Sequence, residues 1–191
     1  METSMDNKKS VLKIYSILLA YPIILLLISF LLNFFLFKIE PYVIALPSTD
    51  HITAFVIAAV LLTINHTWIM TATEIIRAKF KIHSTPEEWD KSGSSADKVL
   101  DEGTRELKRC HDTHLNTTEN LVYFALLGVP FIFVSPSNLA TTIWLVGYAV
   151  ARLGYTYSFL YGKDGARGLF MSLSLLAMYG LASYLAACLF K

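Results

Sequence analysis

Cysteine, charge and glycine-rich turns are what this 191-residue sequence has least of. Two cysteines, Cys110 and Cys188, cannot frame a disulfide scaffold. Nine glycines form no run ahead of a helix that would cradle a nucleotide phosphate. Charged residues make up only 16% of the chain and leave a net charge of +1. The basic residues are matched by acids in the same segments, so a nucleic-acid footprint is excluded. No internal repeat or low-complexity tract is visible. Cys110, His111, Asp112 and His114 suggest metal ligands at first sight. A closed site needs more of them, no other His/Cys cluster exists, and no metal is expected.

Hydrophobic residues, by contrast, make up 54% of the chain and come in long blocks. A bilayer core needs about 20 mostly apolar residues per spanning helix, because each backbone N–H and C=O must be satisfied within the segment. Four stretches meet that demand: 11–37, 52 to about 76, 139–161 and 169–190. A fifth block, 121–134, is too short to cross roughly 30 Å of hydrocarbon at about 1.5 Å per residue. It must borrow polar residues from upstream. There Arg105, Lys108, Arg109, Asp112, Asn116 and Glu119 recur at steps of three and four, which puts them along one stripe. Such a helix is expected to hide this stripe from lipid, with Glu119 as the sharpest candidate for a functional intramembrane charge. The alternative is a solvated helical extension over 105–112.

Lys and Arg near the helix ends set the orientation. With the N-terminus in the cytosol, Lys8, Lys9, Lys13, the basic residues from Arg77 to Arg109, Lys163 and Arg167 all lie inside. Only Lys38 and Lys191 lie outside. The first apolar run exceeds the core of a cleaved signal and lacks a small-residue cleavage pattern, so it reads as a signal anchor. Residues 79–103, with Pro86 and a Ser/Gly cluster, read as a loop between two membrane helices. On these helices Cys110 and Cys188 fall toward opposite membrane faces, and no disulfide joins them. The sequons at Asn65 and Asn116 fall in or beside membrane helices and read as coincidence.

The segment His114-Leu115-Asn116-Thr117-Thr118-Glu119-Asn120-Leu121, with Arg105 to Arg109 upstream, resembles a known signature. It is that of the membrane-associated proteins in eicosanoid and glutathione metabolism, closest to the microsomal glutathione transferase and prostaglandin E synthase branch. Three further pieces follow in order. Thr71 to Arg77 with Pro86-Glu87-Glu88 resembles the end of the family's first helix and its cytosolic loop, Ala151 to Tyr157 its third helix, and Arg167 the start of its fourth. The resemblance spans about residues 55–190. It implies an all-α integral membrane four-helix bundle over 51–191, preceded by an additional transmembrane helix in 1–50, making five helices. It also implies a homotrimer, glutathione bound between protomers near the cytosolic side, and residence in the endoplasmic reticulum or outer mitochondrial membrane.

By that resemblance Arg167 would lower the thiol pKa of glutathione, since a nearby cation favours the thiolate nucleophile. The plainer reading of Arg167 is a positive-inside anchor. Asn116 and Glu119 would hold the glutathione amine and backbone. Arg77, Glu88, Arg109 and His114 would contribute around them. Arg152, in an apolar helix, would contact the ligand or pair with Glu119. Tyr155 would donate to the thiol, or else belong to an interfacial aromatic belt. Asp112, Phe159 and Met171 depart from the pattern: an acid where a further Arg is common, and two losses of ligand-contacting Tyr. The expected function is conjugation of glutathione to lipophilic electrophiles, with reduction of lipid hydroperoxides as a second activity. The alternative is a non-enzymatic lipid-binding protein of the lipoxygenase-activating type. A transporter would show a pair of broken helices, and none is visible.

Overall fold

The computed structural model describes residues 2–39 and 44–190, with side chains left aside at 2–10 and 12. All regular structure among them is helical: α1 (Glu2–Leu31), α2 (Thr49–Phe80), α3 (Pro86–Ser92), α4 (Asp101–Phe133), α5 (Asn138–Thr141), α6 (Gly147–Leu160) and α7 (Asp164–Leu189). A π-helical turn, Leu32–Leu36, prolongs α1, and another, Thr142–Val146, joins α5 to α6. The described helices therefore exceed the five expected, because the loop contains α3 and the π turn divides one apolar span. Part of the linker in 1–50 lies outside the described residues.

Among the described residues, three helices are long and apolar enough to cross a membrane: 13–36, α2 and α7. Spans of this length and composition mark an integral membrane protein. The shortage in the 121–134 block is made good as expected, since α4 draws in residues from Asp101 onward and reaches 33 residues. At about 1.5 Å per residue that is roughly 50 Å, enough to cross the hydrocarbon and stand above it. Its inner face is built from small or apolar side chains, Gly103, Cys110, Thr113, Thr117, Phe124 and Gly128. These repeat at the three-, four- and seven-residue spacing of one helical face.

The loop is more ordered than a connector needs to be. Lys81 adopts a left-handed conformation and ends α2. Thr85 then caps α3 by accepting from the Glu88 amide at 3.3 Å, while the Glu88 carboxylate returns to the Ser84 amide at 2.7 Å. This is close to a capping box, with Pro86 in the first turn where a missing N–H costs nothing. The neighbouring Glu87 carboxyl is held below the usual range by its own backbone amide first and the Thr85 hydroxyl second.

α1 lies on α7 through polar contacts eight and then four residues apart. Tyr21 Oη donates to Ser172 Oγ (2.7 Å), Ser29 Oγ to the Leu176 carbonyl (2.9 Å), and Asn33 Nδ2 to the Gly180 carbonyl (2.8 Å) and Ser183 Oγ (2.9 Å). The intervening Leu25 and the following Phe37 are buried on the same ridge. Such i±4 ridges on both helices are the geometry that lets one seat in the grooves of the other. The two π turns meet here: Trp144 Nε1 donates to Asn33 Oδ1 at 2.8 Å, and the Phe37 ring stands edge-on to the indole at 5.2 Å. Replacing Asn33 by leucine strands the indole N–H and the Ser183 and Gly180 acceptors. The expected loss is about 2 to 4 kcal/mol of stability, read as a lower melting midpoint in detergent.

Candidate functional site

Two glycines set how closely the last helices approach. A Cβ on Gly154 would come within 2.4 Å of the Phe170 ring, so α6 and α7 touch at this level only because no side chain intervenes. That contact brings the start of α7 beside the end of α6. Arg167 consequently lies over the Phe159 ring, 5.3 Å from its centroid, and pairs with Asp164 at 3.4 Å. Phe159 in turn is 5.7 Å from Tyr155, whose ring lies 4.4 Å beneath the Arg152 guanidinium.

Arg152 is the centre of this row. It is fully buried, and no Asp or Glu among the described residues lies within ion-pair distance of it. Nη2 donates to Asn116 Oδ1 and Thr117 Oγ1, both at 2.9 Å, and Nη1 reaches Met171 Sδ at 3.9 Å. The pairing of Arg152 with Glu119 is thus overturned. Three residues along a helix turn the side chain by about 60° from its starting direction, so Asn116 faces α6 and Glu119 does not. With its oxygen engaged by Arg152, the Asn116 amide group turns its N–H donors away from that contact. Thr117 is bound on the same side and was not singled out from sequence. Its signal was a hydroxyl beside Asn116 on the helix's small-residue face.

The polar stripe of α4 does not turn toward the chain's own helices. Arg105, Lys108, Asp112 and Glu119 are exposed on the single chain, and only Arg109 and Asn116 of the stripe are half-buried. The interior positions are taken by the small-residue face described above, which leaves the charges on the outward side. Glu119 has no polar partner among the described residues. Arg109 serves the end of α6: Nη1 donates to the Leu160 carbonyl at 3.3 Å and Nη2 pairs with Glu106 at 3.5 Å. A cation at a helix C-terminus is favoured by the helix dipole.

Arg77 and Glu88 line a different cleft of about 510 Å³, with Glu74, Lys81, His83 and Ser84. Arg77 pairs with Glu74 at 2.7 Å, and Glu88 is held by the α3 cap. Neither joins the Arg152 row within one chain. His114 faces the opposite flank of α4, its ring 5.2 Å from that of His66. Both rings border a groove of about 630 Å³ between α2 and α4, walled by Phe55, Leu62, Leu121 and Phe124. His111 is exposed, and no group of three metal-ligating side chains occurs among the described residues. Cys110 and Cys188 are free and buried.

One chain therefore assembles Asn116, Arg152, Tyr155 and Arg167 with the departures Phe159 and Met171, on the three helices α4, α6 and α7. The model of the MAPEG family matches residues 55–187. The chain belongs to the MAPEG family. The match starts inside α2 and ends inside α7, so α1 and its polar contacts are an addition to the part that defines MAPEG. Among curated proteins, none matches the chain. MAPEG members typically use glutathione, and the row around Arg152 lies wholly within the matched region.

Proposed function

We propose that this MAPEG protein is a membrane-bound glutathione transferase that conjugates glutathione to lipophilic electrophiles, and that it also reduces lipid hydroperoxides with glutathione. The observation that carries the reading is Asn116. A fully buried guanidinium holds its oxygen, its amide donors are left for a ligand, and a carboxylate without a partner stands one turn away at Glu119. Glutathione brings carboxylates, amide carbonyls and an ammonium, so a fixed amide donor and an unpaired acid suit its backbone and amine. Arg167 supplies the cation for the thiol, whose proton leaves to solvent as the thiolate forms. The sulfur then attacks the electrophilic carbon, and the new S–C bond forms as the bond to the leaving group breaks with its electron pair or, on an activated alkene, as the π pair moves to the neighbouring carbon and takes a proton from solvent. Tyr155 donates from the site's floor. Arg77, Glu88, Arg109 and His114, which stand apart from this row within one chain, would contribute to the ligand environment only across a boundary between protomers.

A homotrimer fits the outward direction of Glu119 and the separate position of Arg77. An acid at membrane depth is costly against lipid, and a neighbouring protomer's α2 would cover it and deliver Arg77. The basic ends of α2, α4 and α7 would face the cytosol, as the positive-inside rule has it, in the endoplasmic reticulum or outer mitochondrial membrane. Arg167→Ala is expected to lower turnover at least 100-fold and to remove the thiolate absorbance seen on adding glutathione, with glutathione still bound. Glu119→Gln is expected to raise the KM for glutathione more than it lowers kcat. A wild-type protein that shows neither turnover nor thiolate absorbance in detergent would sink the reading.

The groove between α2 and α4 favours a second one. Its walls are mostly apolar, and it would hold a fatty chain without catalysis, as expected for a lipoxygenase-activating type. Lipid capture that survives Arg167→Ala in a protein without turnover would select this alternative.

A further inference from the structure

The groove between α2 and α4 has a polar end and an apolar end. Its walls run from Phe55 to His66 on α2 and from His114 to Ala125 on α4, roughly 16 Å on each helix at about 1.5 Å per residue. At one end the His66 and His114 rings meet, 5.2 Å apart between centroids. At the other, Phe55 lies against Gly128, where a Cβ would stand 3.4 Å from the Phe55 ring, so the two helices run antiparallel. Leu62, Leu121 and Phe124 line the stretch between. A volume of about 630 Å³ is that of a ligand site, and such sites are mostly apolar with a few placed polar groups.

The polar end lacks partners. His114 Nε2 is buried without a hydrogen bond, and the His66 ring makes none among the described residues. The nearby hydroxyls of Thr63 and Thr118 donate within their own helices, to the Ala59 carbonyl at 2.9 Å and the His114 carbonyl at 3.0 Å. What this end offers a ligand is therefore imidazole N–H, and each ring has at least one whatever its tautomer or charge. Behind the same wall stands a cation. Thr117 lines the groove and accepts from Arg152 Nη2 at 2.9 Å, and Arg152 has no carboxylate within ion-pair distance among the described residues. No Asp or Glu among them lines the groove either.

Paired donors in front of an uncompensated cation select an anionic acceptor, and the apolar stretch beyond them selects a chain. A carboxylate carries two oxygens side by side, one for each imidazole, and such charge-assisted bonds are the stronger kind. A phosphate head would bring a second charge, and the groove has no Lys or Arg of its own to meet it. We propose that the groove binds a long-chain free fatty acid, with the carboxylate held between His66 and His114 and the chain laid along Leu62 and Phe124 toward Phe55. This selectivity rests on the groove being a lipid site, as in the second reading above, and goes beyond it by admitting free acids and excluding their esters.

Full-length protein in lipid nanodiscs is photolabelled with a palmitic acid that carries a diazirine in its chain, and the labelled peptides are mapped by mass spectrometry. Label is expected on α2 and α4 between the His pair and Phe55. Unlabelled palmitic acid is expected to displace it at least about tenfold better than methyl palmitate, which cannot make the charge-assisted bonds. His66→Leu and His114→Leu are each expected to weaken labelling by a similar factor, whereas His66→Gln and His114→Gln, which keep an N–H, retain most of it. The comparison of acid with ester uses the wild type alone and decides the matter even where a variant fails to fold. Groove label displaced equally by acid and ester, or undiminished in both Leu variants, would overturn the carboxylate clamp and leave lipid capture standing. Absence of groove label from both the acid and a diazirine-bearing methyl ester, as when a second copy of the chain fills the groove, would overturn both.

Discussion

Gly180→Ala lowers the melting midpoint by about 3 to 10 °C, the expected result of forcing a methyl group into a packed contact worth about 1 to 3 kcal/mol. A Cβ there would lie 2.5 Å from the Trp144 indole, which is fully buried and has no room to turn aside. The ring is held from its other side by Asn33, which also donates to the Gly180 carbonyl. Moving the indole thus loosens two hydrogen bonds as well as the edge-on contact with Phe37. Trimming the ring in a Gly180→Ala/Trp144→Leu double variant is expected to recover part of the loss. Equal midpoints for wild type and Gly180→Ala would show that the close approach is not what packs this end of the bundle.

Arg152→Met separates stability from activity in the opposite way. Replacing a whole buried ion pair by apolar side chains is often neutral or stabilising by about 1 to 4 kcal/mol, and Arg152, with no carboxylate partner among the described residues, leaves no opposite charge stranded when it is removed. Here the lost bonds to Asn116 and Thr117 offset part of that gain, so the melting midpoint is expected to change little. Asn116, however, loses the contact that fixes its amide. A ligand group displaced by about 1 Å can cost a hundredfold in rate, and the turnover of the variant is expected to fall by about that factor. A large fall in the midpoint together with unchanged turnover would mean that Arg152 is a structural residue alone.

Much of the membrane architecture was legible because bilayer thickness is a length requirement that any reader of apolar blocks can apply. The shortfall of residues 121–134 forced α4 to extend into its polar upstream sequence, and it does. The rotation of that helix was not legible. Six polar residues at steps of three and four mark a stripe, but the stripe cannot say whether it turns toward the chain's own helices or away from them. That choice belongs to the buried face of Thr113, Thr117 and Phe124, where Thr117 meets Arg152 and Phe124 stacks on Tyr148 of α6. Arg152 misled for a related reason. Opposite charge made Glu119 the natural partner on paper, whereas the helix wheel presents Asn116 and Thr117. Asn65 carried the motif of a sequon, and nothing in a single sequence distinguishes a coincidental motif from a buried polar residue with an interior role. The loop helix α3 was readable in retrospect from Thr85, Pro86 and Glu88, whose spacing is that of a capped first turn.

The polar contacts between α1 and α7 also impose an order on biosynthesis. Asn33 leaves the ribosome 147 residues ahead of the Gly180 carbonyl it will bind. At about 5 to 20 residues per second, the first helix waits roughly 7 to 30 s for the last. Through that interval a side-chain amide in an apolar segment needs a surrogate partner, from water at the membrane edge or from the insertion machinery. The last segment to be translated therefore completes the first, and a chain that terminates before α7 leaves its own anchor with an amide exposed to lipid.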